Sequence, residues 1–149
     1  MKKISCLFIV IAILFSAISC SDRRSAYELL SSFADAYGVD GVVYSSSISE
    51  GNDGYIDIDL FRKIYAWGDE FPQDFAVLLN SHTDSRAECA VFICRDGAEL
   101  DDMYEMCRER LRILAVPEQS FIVRTGMTLF YSAMPDAQRA KDVWHRVIS

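Results

Sequence analysis

Apolar and polar residues alternate along the chain in blocks that predict helices and strands. The first apolar stripe has helical spacing, begins after Ser25 and stops at Gly38. Ser25 and Glu28 have the spacing of a capping box, which favours a helix start at this point. Further along, residues 75–79 and 89–94 are apolar runs separated by polar residues. These two runs predict the strands of a hairpin.

The second half of the chain predicts two hairpin–helix units. Residues 98–114 carry an amphipathic pattern after the first hairpin. Residues 121–123 and 129–131 form a second pair of apolar runs, and Asp136 can cap a last helix. We therefore expect an α+β two-layer sandwich: an antiparallel four-stranded sheet with both helices on one face. The N-terminal helices would cover an edge or part of the other face.

Residues 39–57 have the least regular pattern of the domain. A short β-like stretch at residues 42–44 is followed by serines, glycines and acidic residues. After it, Asp59 can cap a short second helix that ends near Gly68.

The first twenty residues have the three parts of a secretory signal. Lys2 and Lys3 precede an apolar run at residues 4–18, and small residues lead to Cys20. The apolar run is about fifteen residues long, shorter than the ~20 that span a bilayer. A removable signal is therefore favoured over a permanent transmembrane helix.

The segment Ala17-Ile18-Ser19-Cys20 resembles the bacterial lipobox, in which a peptidase cuts before a cysteine that carries diacylglycerol. Ser19 fits that motif best, while Ala17 and Ile18 are variants of it. The resemblance implies lipidation of Cys20, with plain secretion or an uncleaved anchor as alternatives. The expected organisation is a signal peptide at 1–19, a lipidated Cys and tether at 20–25, and one α+β domain at 26–149. The expected location is the extracytoplasmic face of the cell membrane.

Charge limits the class of partner. Of 15 basic residues, cleavage removes Lys2 and Lys3 and leaves 13 against 22 acidic ones, a net charge of −9. Because binding of nucleic acid phosphates needs a basic surface, a nucleic-acid partner is excluded. The expected partners are the membrane, through the lipid, and an envelope protein.

Three cysteines follow the signal and the lipid site, namely Cys89, Cys94 and Cys107. Cys89 and Cys94 stand ~16 Å apart on one extended strand and cannot bridge each other. Any disulfide should therefore join Cys107 to Cys89 or to Cys94. Three buried free thiols are the alternative.

Acidic residues cluster between positions 50 and 59. Glu50, Asp53, Asp57 and Asp59 supply carboxylates beside glycines that permit tight turns. The EF-hand pattern also needs a bidentate Glu at the loop end, and this sequence lacks it. A metal site is one interpretation of the cluster; a solvated turn with a helix cap is the other.

No catalytic motif is complete. Ser81, His82 and Asp84 have the residue types of a hydrolytic triad, but neighbours in one loop do not easily converge on a substrate. Phosphate-binding Gly-rich loops and Cys-x-x-Cys pairs are absent from the sequence. We expect no cofactor.

Several features together resemble an uncharacterised family of small Gram-positive bacterial lipoproteins, defined only as a domain of unknown function. They are an early Glu-Leu-Leu helix core at 28–30, Tyr65 at the end of the second helix, Glu88 opening a strand, and Gly126 before a last apolar strand. A glycine-rich insertion around Asn52 and the three cysteines depart from the family pattern. The resemblance implies fold and location, and no activity.

The resemblance draws attention to Glu88, a carboxylate at the start of an apolar strand. It can form a structural pair with Arg86, Arg95 or Arg124, or contact a ligand. The leading hypothesis is a non-enzymatic, lipid-anchored binding or accessory module at the cell envelope. The alternative is an envelope enzyme, or a sensor of a small ligand or metal that uses residues 50–59.

Overall fold

A computed structural model describes residues 24–65, 72, 74–80, 87–114 and 117–149. Within these residues the protein is α+β, with four α-helices and a five-stranded antiparallel sheet. No helix in this part of the chain combines the length and apolar character needed to cross a membrane. The elements in chain order are α1 (Ala26–Tyr37), β1 (Gly41–Ser45), α2 (Ile58–Tyr65), β2 (Asp74–Asn80), β3 (Glu88–Ile93), α3 (Gly97–Leu114), a 3-10 turn (Pro117–Gln119), β4 (Phe121–Thr125), β5 (Thr128–Ser132) and α4 (Ala137–Ile148).

Local signals fix the ends of α1. The Ser25 hydroxyl accepts from the Glu28 amide at 3.2 Å, and the Glu28 carboxylate accepts from the Ser25 amide at 2.8 Å. This reciprocal pair is the predicted capping box. Gly38 ends the helix with φ 72°, a left-handed conformation that glycine adopts without strain. The Asp136 cap of α4 is also confirmed, because its carboxylate accepts from the Arg139 amide at 2.9 Å.

The sheet has five strands in the order β1-β2-β3-β5-β4. The sequence predicted four, one fewer than the structure has. The additional strand is β1, which pairs along β2 from Gly41 opposite Asn80 to Ser45 opposite Ala76. Its β-like pattern is brief, and pairing with a partner over thirty residues away completes it. β1 and β4 form the two edges of the sheet.

Helices cover both faces of the sheet, which corrects the predicted placement of both hairpin helices on one face. Ala76 and Leu78 of β2 pack in the cluster that includes α1 and α4, whereas Phe75 and Val77 pack with α2 and α3. Since neighbouring strand residues point to opposite faces, α3 and α4 lie on opposite sides. The physical reason is that both faces of the central strands are apolar, and each needs its own helical cover.

Strand register defines two ends of the sheet. The Glu88 end holds the start of β3 with Asn80 and Ser132; the Arg24 end holds the end of β3 with Asp74 and Thr128. β3 runs from one end to the other over six residues, so the ends are ~17 Å apart. The described chain begins at the Arg24 end, where the Ala26 amide donates to the Asp74 carboxylate at 2.7 Å.

Candidate functional site: a buried polar cluster at the Glu88 end

Glu88 is buried at the start of β3, only 4% exposed, and is ion-paired with Arg110 of α3. The Arg110 Nε lies 2.9 Å from Oε1 of Glu88, and its Nη2 lies 2.5 Å from Oε2. Two parallel N–H donors on two carboxylate oxygens form a bidentate pair, which fixes orientation as well as charge. Arg110 also donates from Nη1 to the carbonyl of Ile64 at 3.3 Å.

Two tyrosines complete what we call the Glu88 cluster: Glu88, Arg110, Tyr65 and Tyr131. The Tyr65 hydroxyl donates to Oε1 of Glu88 at 3.2 Å, and the Tyr131 hydroxyl donates to the same oxygen. The two hydroxyl oxygens lie 2.7 Å apart. Both tyrosines are buried. Each polar group of the cluster therefore has partners within it.

Strand alternation and helix position bring the four residues together. Tyr131 of β5 lies opposite Ala90 of β3, and it packs in the same cluster as Ala90 and Phe92. Tyr65 is the last residue of α2, and its ring meets Phe92 edge-on with the centroids 6.2 Å apart. The cluster thus lies between the sheet and the α2–α3 layer.

Burial and the Glu88 charge set the protonation of the cluster. Burial raises the pKa of Tyr65 and of Tyr131 well above the usual phenol range, and the nearby Glu88 raises both further. The hydrogen bond to Glu88 raises the pKa of Arg110. At neutral pH the phenols are neutral donors beside a charged guanidinium. The Glu88 oxygens accept hydrogen bonds from these three donors of the cluster.

Glu88 pairs with Arg110, an arginine that the sequence did not suggest as its partner. Arg95 forms an ion pair with Glu99 at 2.9 Å, and Arg124 forms one with Asp101 at 2.7 Å. Arg86 lies outside the described residues. The Glu88 carboxylate accepts hydrogen bonds from Arg110, Tyr65 and Tyr131. Contact between Glu88 and a ligand stays a prediction.

Sequence reasoning missed Arg110 and Tyr131. Arg110 follows Cys107 by three residues and Met103 by seven, so it lies on the buried stripe of α3. A charged residue in an apolar stripe was the available signal, because such a position is usually paired when buried. Tyr131 lies within an apolar strand, where its hydroxyl gives no pattern of its own.

The acidic residues of 50–59 are spread along an exposed loop and the start of α2. The Asp57 carboxylate accepts from the amides of Asp59 at 2.9 Å and Leu60 at 3.0 Å, so it caps α2. The predicted cap, Asp59, is therefore wrong by two residues. Asp59 instead pairs with Arg62 at 3.2 Å.

Glu50 and Asp53 are exposed on the same loop. In the described part of the chain, no three His, Cys, Asp or Glu side chains are close enough to hold a metal ion. The metal site at Glu50, Asp53, Asp57 and Asp59 stays a prediction. The structure does not bring these four carboxylates together as a set of ligands.

The thiols of Cys89, Cys94 and Cys107 are free and buried, so the predicted bridge from Cys107 is not formed. Cys89 packs in the α1–α4 layer and Cys107 in the α2–α3 layer, so a bond between them would have to cross the sheet. Cys94 shares the layer of Cys107 and remains unbonded. The alternative of three buried thiols describes the structure. Burial raises the pKa of Cys94 to about 12 and that of the other two well above the usual thiol range.

Several residues named from the sequence lie outside the described residues. They are Lys2, Lys3, Ala17, Ile18, Ser19 and Cys20 of the signal region, Gly68 after the second helix, and Ser81, His82, Asp84 and Arg86. The lipid site and the proximity of the triad-type residues therefore stay predictions.

Comparison with protein-family models, with curated proteins and with solved structures finds no match for this chain. The resemblance to small Gram-positive lipoproteins thus remains an expectation from sequence features.

Proposed function

We propose that the protein is a lipid-anchored binding or accessory module at the extracytoplasmic face of the cell membrane. The observation that carries this proposal is the lipobox-like Ala17-Ile18-Ser19-Cys20 after an apolar signal. The capping box at Ser25 supports it, because the folded domain starts within five residues of Cys20. Two or three acyl chains at Cys20 would supply the stable anchoring that a single chain cannot.

The Glu88 cluster favours binding or an accessory role over catalysis. The Glu88 carboxylate accepts hydrogen bonds from the Arg110 guanidinium and from the Tyr65 and Tyr131 hydroxyls. The donors and acceptors of the cluster therefore satisfy one another. Such a network stabilises the arrangement of β3, α2 and α3. The proposed interaction surface is the exterior of the Glu88 end, because the chain leaves toward Cys20 from the opposite end.

Mass spectrometry of the mature N-terminus tests the anchor. We expect a chain that begins at Cys20 with the mass of diacylglycerol on the sulfur. The Cys20→Ala variant should lose this mass and leave the membrane fraction. An unmodified Cys20 in the native protein would contradict the proposal.

Capture from solubilised membranes tests the binding role. We expect an envelope protein to be enriched by the native chain, and less so by Asp40→Lys/Glu118→Lys, which reverses two exposed charges at the Glu88 end. The matched control is Thr125→Lys, an exposed position at the Arg24 end, which should capture as the native chain does. Equal loss in all variants, or no enrichment by the native chain, would remove support for a partner at the Glu88 end.

A further inference from the structure

The two edge strands of the sheet differ in how far other parts of the chain cover them. At the β1 edge, the Ser45 amide donates to the Gly54 carbonyl at 2.9 Å, so the loop after β1 occupies part of that edge. At the other edge, no described segment pairs with the outer side of β4. Among the residues that the structure describes, β4 is therefore the open edge of the sheet.

Two residues of β4 turn their backbone groups toward this open edge. A two-residue turn joins Thr125 to Thr128, so this closing pair exchanges hydrogen bonds within the hairpin. Hydrogen-bonded pairs alternate along an antiparallel ladder, so Ile122 and Arg124 direct their N–H and C=O groups away from β5. Such outward groups are a template for a further strand.

A second copy of β4 fits these groups when the two strands run antiparallel around a two-fold axis at Val123. Ile122 of each copy then exchanges both backbone hydrogen bonds with Arg124 of the other. Val123 is half-buried and lies opposite its own counterpart, so apolar side chains meet at the axis. A charge on an edge strand opposes pairing, but Arg124 is paired with Asp101 of its own chain at 2.7 Å.

The flank of α3 beside β4 carries charges of opposite sign at its two ends. Tyr104 lies on this flank, because the Arg124 guanidinium carbon is 4.2 Å from the centre of its ring. Asp101 comes three residues earlier and Arg108 four residues later, so both share the flank with Tyr104. Arg108 pairs with Glu105 of its own chain at 2.9 Å, and both side chains stay exposed. The flank is therefore acidic before Tyr104 and basic after it.

The two-fold axis brings the acidic part of this flank opposite the basic part of the second copy. Arg124 lies next to the axis and contacts Tyr104, so Tyr104 is the point of α3 nearest to it. The two α3 helices then run antiparallel on one face of the joined sheet, with Asp101 of each copy facing Arg108 of the other. A two-fold interface must be complementary to itself, and this flank meets that condition. A strand without such a helix would leave these charges unmatched, so the charges favour a second copy as the occupant.

We propose that the protein forms a two-fold dimer through the open edge of β4, with the two five-stranded sheets joined and the two α3 helices side by side. This inference goes beyond the proposed function and needs neither the lipid nor the envelope partner. The antiparallel pairing places the two Arg24 ends at opposite ends of the joined β4 strands. A dimer with both chains anchored would therefore lie with its strands along the membrane.

Disulfide trapping in the purified full-length protein tests the register of the pairing. Val123→Cys places two thiols opposite each other at the axis, where the Cα atoms of a non-hydrogen-bonded pair are about 4.5 Å apart and can be bridged. Thr125→Cys is the matched control on the same strand. It is exposed but lies two residues from the axis, so its two Cα atoms would be ~14 Å apart. The native thiols are buried in both variants.

With copper–phenanthroline and air as the oxidant, we expect Val123→Cys to give at least about fivefold more disulfide-linked dimer than Thr125→Cys on a non-reducing gel. No linked dimer for Val123→Cys, or equal amounts for the two variants, would overturn this register.

Charge reversal in the Val123→Cys background tests the contact between the α3 helices. Arg108→Glu should lower the yield of linked dimer about threefold or more, because it places a carboxylate opposite Asp101 of the other copy. Lys63→Glu makes the same change of charge at an exposed position of α2 and should leave the yield unchanged. Equal effects of the two substitutions would overturn the placement of α3 beside α3.

Sedimentation equilibrium of the native full-length chain in density-matched detergent needs no substitution. We expect the mass of two chains. A monomer at every protein concentration would overturn the dimer, including the case in which a variant does not fold.

Discussion

Arg110 of α3 and Glu88 of β3 form a bidentate ion pair across the contact between a helix and the central strand of the sheet. The Arg110 side chain is 18% exposed and the Glu88 side chain is 5% exposed. A buried carboxylate is strongly destabilised without a partner, so this pair constrains how α3 sits on the sheet.

Arg110→Met should lower the free energy of unfolding by about 3 kcal/mol, because it leaves the Glu88 carboxylate buried with only the phenols as donors. Urea denaturation measures this. The control is Arg112→Met on the same helix, whose pair with Glu109 is solvent-exposed, so its loss should change the free energy of unfolding little. An equal decrease in the free energy of unfolding in the two variants would show that the buried ion pair contributes no more to stability than the exposed one.

Tyr131→Phe should cost about 1–2 kcal/mol, because it removes a buried donor to Glu88 and leaves the ring in place. Tyr65→Phe should cost a similar amount. The double variant should be non-additive, since the two hydroxyls lie 2.7 Å apart in one network. Tyr27→Phe, at a position 38% exposed, is the control and should be near neutral. Strict additivity would argue against a coupled network.

Stability should fall as the pH rises above the ordinary thiol pKa of 9.0. The pKa values of Cys89 and Cys107 are raised by burial, so above pH 9 the unfolded chain loses protons that the folded chain keeps. Their stabilising contribution is complete below pH 9 and is lost as the pH climbs toward the raised values. Tyr65 and Tyr131 add to this above their ordinary value of 10.0.

The expected slope is about 1.4 kcal/mol per pH unit for each such group, measured from urea midpoints between about pH 8 and about pH 11. Cys89→Ala should make the slope shallower by about one group's share. A slope unchanged by this variant would contradict the assignment to the buried thiol.

Gly54→Ala should destabilise the loop more than Gly51→Ala. Both glycines have φ 86°, so alanine is strained at either position. At Gly54 an added Cβ would also lie 2.5 Å from the carbonyl oxygen of Val43, whereas at Gly51 nothing lies within 4 Å. We expect losses of about 3 and about 1 kcal/mol, measured by thermal denaturation. A larger loss for Gly51→Ala would contradict the packing of this loop against β1.

Local chemistry made α1 and α4 predictable. The capping box at Ser25 and Glu28, the glycine at 38 and the Asp136 cap act within a few residues, so their spacing in the sequence is sufficient. The i,i+3 pairs of α3, Glu105 with Arg108 and Glu109 with Arg112, were predictable for the same reason.

The sequence by itself determined the α+β class, the caps of α1 and α4 and the two hairpins, because these depend on neighbours in the chain. Only the tertiary structure decided that β1 joins the sheet and that α3 and α4 cover opposite faces, because central strands apolar on both sides show no preference between the faces. It also decided that Glu88 pairs with Arg110. That choice depends on how α3 packs across β3, because the two residues are twenty-two positions apart in the sequence and only this packing brings them within hydrogen-bond distance.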